Sequence, residues 1–304
     1  MAPFLKPIQP DSKQPGPEQT NLQKAFSPVI SSQDRGFLYG DGVFETVRYR
    51  GGRLLLWALH RDRLVRSCET LVIPLREDVL DQIVSESIEF APAADCILKI
   101  IVTRGEGGRG YVPPISAEAS VVLQWHALPA DIAESSRQGI DCIICDHPLS
   151  LNPVTAGIKH LNRLDQVMAS LQLRQAAQSF PAIREGLMCD VDGNVIEGTR
   201  SNIFAVIDNR LCTPDLSRAG VQGVARSFLS EQFSVAGIAL EVRHISQQEL
   251  RLASELFVCN SVLGVWPVNR ILFLENNAAS VQVQFPSRQM ADIAGKALQE
   301  IFSL

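Results

Sequence analysis

The stretch VIEGTRSNIFAVIDNRLCTPDLSRAGVQGVAR, Val195 to Arg226, carries a carboxylate, two apolar runs, a turn and a glycine-opened helix start. Asn194–Glu197 and Ile203–Ile207 are short apolar runs bounded by the turn signals Asp192-Gly193 and Asp208-Asn209, so both read as strands. Glu197 closes the first run among apolar neighbours, where an unpaired carboxylate is costly. Either its head reaches water at the strand end, or it is placed to pair with a buried cation. At the far end, Gly220-Val221-Gln222-Gly223-Val224-Ala225-Arg226 leads into a helix expected from about Gly223. Glycines there leave backbone N–H groups free to cradle a phosphate, aided by the helix dipole. Many loops enter helices through glycine, so that signal is weak alone.

Upstream, TAGIKHLNRLDQVMAS (Thr155–Ser170) holds one lysine, Lys159, before a helix expected over Asn162–Gln178. A lone lysine at such a place is ordinarily a solvated surface residue. Small and apolar neighbours can instead desolvate it, lowering its pKa and freeing the amine as nucleophile or base. Further upstream, TRGEGGRGY (Thr103–Tyr111) is a short arginine- and glycine-rich loop between strands, suited to offering Arg104 and Arg109 to a small anion.

Around these segments the pattern is mixed. Strands are expected at Val43–Tyr49, Arg53–Leu56, Cys96–Thr103 and Ala119–Ala127, with helices at Trp57–Leu71 and Asp78–Phe90. Polar Asp131–Gln138 reads as a linker. Beyond it come strands at Ile140–Asp146, Leu187–Asp190, Ala239–Val242, Leu256–Asn260 and Val265–Leu272, a capping box at Ser246-x-x-Glu249, and a last helix at Ser287–Phe302. This predicts an α/β chain of two domains, residues 26–130 and 139–304, preceded by a Pro- and Gln-rich arm over 1–25.

The 304 residues are 46% hydrophobic and 20% charged, as in soluble globular proteins, and the net charge of −5 argues against a nucleic-acid surface or an anionic membrane as partner. No apolar run is long enough to span a bilayer and no signal-peptide pattern opens the chain. Seven cysteines without framework spacing point to reduced thiols and a cytoplasmic location. Cys142-x-x-Cys145 has no second pair at ligand spacing, so no metal is expected.

Taken together, Glu197, Thr199, Asn202-Ile203-Phe204, Leu211, Thr213, Val221, Gly223-Val224 and Arg226 resemble the signature of the class IV pyridoxal-phosphate enzymes. These comprise branched-chain and D-amino-acid aminotransferases and aminodeoxychorismate lyases. DRGFLYGDGVFET and His60-x-x-Arg63 extend the resemblance, which runs from about Asp34 to near Pro267. GIKHLNRLDQV, RGEGGRGY and CNSVLGVWPV are similar to the lyases; Glu45 is also common in the aminotransferases and does not discriminate.

The resemblance implies a small N-terminal α/β domain, a larger C-terminal domain with a barrel-like sheet, and pyridoxal 5'-phosphate in the cleft. It implies that Lys159 bonds the cofactor, Glu197 faces the pyridine nitrogen, and Arg63 with the backbone of Gly223, Val224 and Ala225 holds the phosphate. Asn162 and Ser261 would add hydrogen bonds. Arg109, Tyr111, Tyr39 and Asn260 would receive the small-molecule substrate. The implied activity is the lyase reaction that makes 4-aminobenzoate, with class IV transamination as the alternative. The implied assembly is a homodimer with loops of one subunit near the other's site.

Overall fold

The computed structural model describes residues 30–275 and 278–303, so the expected N-terminal arm lies outside the described residues. The chain opens with a short helix, α1 (Arg35–Tyr39), capped by the Asp34 carboxylate and closed by Gly40 at φ 65°. Strands β1 (Gly42–Arg50), β2 (Arg53–Leu54), β3 (Cys96–Thr103) and β4 (Ser120–Ala127) form an antiparallel sheet in the order β2-β1-β3-β4. Helices α2 (Trp57–Thr70) and α3 (Glu77–Glu89) pack on one face. Leu64, Cys68, Leu80 and Val84 meet Val43, Val47, Leu98 and Ile100 there, the alternate residues that a pleated strand turns to one side. The helices at Trp57 and Glu77 start and stop within a residue of the sequence expectation.

The segment expected as a linker is a helix, α4 (Ile132–Gln138), ending at Gly139 with φ 77°. Its composition is polar, but Ser136 donates to Val265 O at 3.0 Å and Ser135 is buried, so tertiary contacts order it. Beyond it the strands are β5 (Ile140–Ile144), β6 (Ile183–Cys189), β7 (Val195–Gly198), β8 (Asn202–Ile207), β9 (Arg210–Pro214), β10 (Leu240–Arg243), β11 (Glu255–Asn260), β12 (Gly264–Glu275) and β13 (Ala278–Gln284). Between them lie helices α5 (Leu164–Ser179), α6 (Val224–Val235), α7 (Gln247–Leu250) and, last, α8 (Gln289–Phe302). The sheet order is β10-β9-β8-β11-β12-β5-β6-β7, with β13 beside β12. Strands β7 and β8 touch although they are not sheet neighbours, so the sheet curls into a half-barrel.

Both faces of this sheet are covered. Ile203, Ala205, Leu256 and Val258 face one core with Trp266, while Phe204, Phe257 and Cys259 face another built with Leu229, Phe233, Leu298 and Phe302. Phe204 and Phe257 stack at 5.1 Å between centroids. Such two-sided burial explains the near-continuous apolar runs in the sequence. Strands β9 and β13 and helix α1 were not expected. The capping box at Ser246 and Glu249 is present. All seven cysteines are free and buried, and no metal-binding cluster occurs among the described residues. No helix among them is long and apolar enough to cross a membrane.

Candidate active site

A cavity of about 660 Å³ opens where the small sheet meets the curled one. Lys159 enters it from an extended loop, pinned on both sides. Phe44 N–H donates to Lys159 O, and Leu161 N–H to Gly42 O, each at 2.9 Å. Gly157 is held by Gly220 O and Gln222 N–H, also at 2.9 Å. The Lys159 amine lies 4.4 Å from the centre of the Phe44 ring and forms no ion pair among the described residues. Burial, then the nearby Arg63, bring its pKa down from 10.5 to about 8, with Arg163 adding to them and Glu45 and Glu197 opposing. A large fraction of this amine is therefore neutral near pH 8.

Arg63, on α2, stands across the cavity. Its Nε and Nη2 donate to the two oxygens of Glu45 at 2.7 and 2.6 Å, and its Nη1 donates to Gln222 O at 2.9 Å. His60 Nδ1 shares Glu45 Oε2 at 2.6 Å. Burial alone would raise the Glu45 pKa, but Arg63 and His60 hold it down at about 2. A wholly buried carboxylate thus fixes the arginine at the cavity wall.

Glu197, one residue before the end of β7, is buried, accepting from Val221 N–H at 2.7 Å and from Gln166 Nε2 at 3.1 Å. Burial raises its pKa against the pull of Arg163, those two donors and Lys159. Beneath it, Glu185 is fully buried and accepts from Thr199 N–H, Thr199 Oγ1 and Ser201 Oγ, which clamps the turn between β7 and β8. Gly223 is the N-cap of α6 and offers no side-chain cap, so among the described residues the first amides of that helix have no capping side chain beside the cavity. A Cβ at Gly223 would collide with Asn202 Oδ1.

Of the residues expected from sequence, Lys159, Arg63, Glu197, Gly223, Val224, Asn260 and Ser261 line this cavity. Ala225 is buried behind it and offers only its backbone. The polar groups of Asn260 and Ser261 are engaged in their own turn: Asn260 bonds Arg200 O and the amides of Val262 and Leu263, and Ser261 Oγ donates to Thr46 O. Asn162 lies elsewhere, donating to Gly40 O at 3.1 Å in a second depression shared with Tyr39 and Tyr111. Those two rings meet edge-on at 5.6 Å, and Tyr111 is 86% exposed. Arg109 is exposed and lines neither hollow. Arg104, expected to face a small anion, is buried and spent on Asp41 and the carbonyls of Leu71 and Val72.

The sequence reading missed Arg163, Gln166, Arg174 and Arg200, all in the cavity wall. Gln166, Ser170 and Arg174 recur every four residues on α5, a face that could have been read once Lys159 was placed. Arg174 is exposed at the mouth with no partner among the described residues.

These features define a cavity that brings together one buried amine, one buried acid and the uncapped start of a helix. The amino-transferase class IV family matches residues 42–271, and the chain belongs to that family. The family depends on pyridoxal 5'-phosphate. An aminodeoxychorismate lyase from Vibrio harveyi is 33% identical over 255 residues, covering 83% of this chain and 89% of the relative. A D-alanine aminotransferase from Bacillus licheniformis is 29% identical over 261 residues, covering 82% and 86%. Among solved structures, a 4-amino-4-deoxychorismate lyase from Pseudomonas aeruginosa superposes with a TM-score of 0.80 at 39% identity, covering 90% of this chain and 95% of that one.

Proposed function

We propose that this chain is a lyase that converts 4-amino-4-deoxychorismate to 4-aminobenzoate and pyruvate, supplying 4-aminobenzoate for folate in the cytoplasm. The observation that carries it is the uncommitted amine of Lys159 facing the buried Glu197 within one cavity. The 33% and 39% identities to lyases support the reaction over its relatives.

The residues present fit the cofactor. Lys159 would bond its aldehyde carbon, Glu197 would face the pyridine nitrogen, and Arg63 with the free amides at the start of α6 would hold the phosphate. When bound, the cofactor supplies an electron sink for the carbon that bears the substrate nitrogen.

The chain's own groups then have defined tasks. Lys159 Nζ would take the proton from that carbon as a neutral base. The electron pair expels the enolpyruvyl group from the neighbouring ring carbon, and the ring becomes aromatic. The ammonium of Lys159 returns its proton to the departing group, which leaves as pyruvate. Arg174 and Arg200 at the mouth face the two substrate carboxylates, and the apolar wall of Phe44, Val167, Leu171, Val262 and Leu263 excludes water. No amino acceptor is consumed.

The second reading is transamination, supported by the D-alanine aminotransferase likeness. Holoenzyme given 4-amino-4-deoxychorismate without a keto acid separates the two. Catalytic, equal release of 4-aminobenzoate and pyruvate is expected; turnover that occurs only with an amino acid and a keto acid makes the transaminase reading the right one.

The assembly is a homodimer in which the loop bearing Arg109 and Tyr111, with Tyr39 beside it, serves the partner's cavity. Its support is that these residues stand away from their own chain's cavity. The exposed Phe37, Leu38, Val112 and Ile115 near them form apolar surface suited to an interface.

A further inference from the structure

We propose that Arg163 is a positioning residue for Lys159 and Glu197, its guanidinium bridging the two peptide carbonyls that flank Lys159 while standing in the cavity wall that all three share. The proposal rests on the reading that Lys159 is the cofactor lysine.

In an extended chain, successive carbonyls point to opposite sides. Around Lys159 one side is satisfied by strand-like bridges: Lys159 O by Phe44 N–H, and Gly157 O by Gln222 N–H. The carbonyls that alternate with them, Ile158 O and His160 O, have no backbone donor among the described residues. Arg163 takes both, with Nε to His160 O at 2.7 Å and Nη2 to Ile158 O at 3.1 Å. A planar fork with fixed donor directions can bridge two carbonyls in this way; a lysine ammonium at the end of a flexible stem cannot hold the same geometry. Three consecutive carbonyls, at 158, 159 and 160, are thereby fixed, and the amine is the part of this segment left to move.

Arg163 also sets the charge. The groups facing the Lys159 amine are Arg63, Glu45 and His60 from the small sheet and its helix, and Arg163 and Glu197 from the curled sheet and its loop. Arg63 lowers the Lys159 pKa more than Arg163 does, but its bidentate partner Glu45 opposes it. Arg163 bonds only neutral carbonyls and has no carboxylate within ion-pair distance among the described residues. Its charge is thus free to disfavour an ammonium on Lys159, where it adds to burial, and to favour a carboxylate on Glu197, where it opposes the larger upward push of burial. One arginine serves the base and the acid together.

The test uses wild type, Arg163→Met and Arg163→Lys. Pulse acetylation of cofactor-free protein across pH, followed by mass spectrometry of the Lys159 peptide, reads the amine directly. Wild type is expected to show a midpoint near 8, and Arg163→Met one higher by about one pH unit. Arg163→Lys keeps the charge and loses the fork, so its midpoint stays near that of wild type while its Kd for pyridoxal 5'-phosphate rises about tenfold. Far-UV circular dichroism and Tm confirm that each variant is folded, and Arg163→Lys remains informative if Arg163→Met is not. An unmoved midpoint in Arg163→Met overturns the charge role, and an unmoved Kd in Arg163→Lys overturns the clamp. Borohydride reduction of wild-type holoenzyme with peptide mapping keeps the underlying reading separate: cofactor on a lysine other than 159 removes that reading whatever the Arg163 variants do.

Discussion

Glu45 shows how much a single buried group decides. It is 1% exposed, and its two oxygens hold Arg63 by two donors and His60 by one. Glu45→Gln keeps the shape but leaves the guanidinium without its counter-charge, which for a buried pair costs about 3 kcal/mol. The expected outcome is a lower urea midpoint together with weaker binding of pyridoxal 5'-phosphate; an unchanged midpoint would mean that the pair contributes nothing. The same carboxylate has a folded-state pKa of about 2, below its ordinary 4.5. Its stabilisation is therefore complete above pH 4.5 and is lost as pH falls towards 2, a window that the Glu45→Gln variant should lack.

Lys159 carries the opposite sign. Its folded pKa of about 8 lies below 10.5, so folding the cofactor-free chain disfavours its ammonium. That cost is fully present below pH 8 and is relieved as pH rises towards 10.5. Relative to Lys159→Met, cofactor-free wild type should gain stability across that window, measured by urea melts at each pH. Lys159→Ala holoenzyme should lack the cofactor–lysine absorbance and lose activity by at least about a thousandfold. Retained absorbance would mean that another lysine holds the cofactor.

At the scale of elements, the approach to the start of α6, the proposed phosphate site, depends on Gly223, where a side chain would meet Asn202 Oδ1. Asn202 in turn donates to Val221 O at 2.8 Å, so a displaced Asn202 also loosens the loop that gives Glu197 its backbone donor. Gly223→Val is therefore expected to weaken cofactor binding at least about tenfold, seen by titration, while far-UV circular dichroism is unchanged. Unchanged affinity would show that the first turn of α6 does not bind the phosphate.

What the sequence made legible follows the same division. The strand at Glu255 was readable because the two-sided core demands an apolar run, and the strand at Cys96 and the helix at Trp57 because they share a single apolar core. Strand β9 was not, because its five residues begin with arginine and end with proline; it exists by pairing with β8 and β10. The site residues inside the Glu197–Arg226 stretch were readable because their spacing is local. Arg163 and Glu185 were not, because what they grip is defined only when the loop and the two strands fold together.

At the scale of the whole molecule, Arg109, Tyr111 and Tyr39 raise the question of which cavity they serve. Their own chain's cavity is lined without them, and Tyr111 is 86% exposed on the loop that follows β3. A second copy of the chain is the occupant that the homodimer reading supplies. Complementation tests it directly. Lys159→Ala and Arg109→Ala homodimers should each be impaired, the first in turnover and the second mainly in KM. Mixed dimers, refolded together and separated by distinct tags, contain one chain of each kind. If Arg109 acts across the interface, one of the two cavities pairs an intact Lys159 with an intact Arg109, and that cavity regains wild-type KM. If Arg109 acts within its own chain, both cavities of the mixed dimer carry one lesion, and KM stays at the Arg109→Ala value. A wild-type chain that sediments as a monomer at assay concentration would remove the interface altogether and leave Asn260, Arg174 and Arg200 as the substrate contacts of a site complete in one chain.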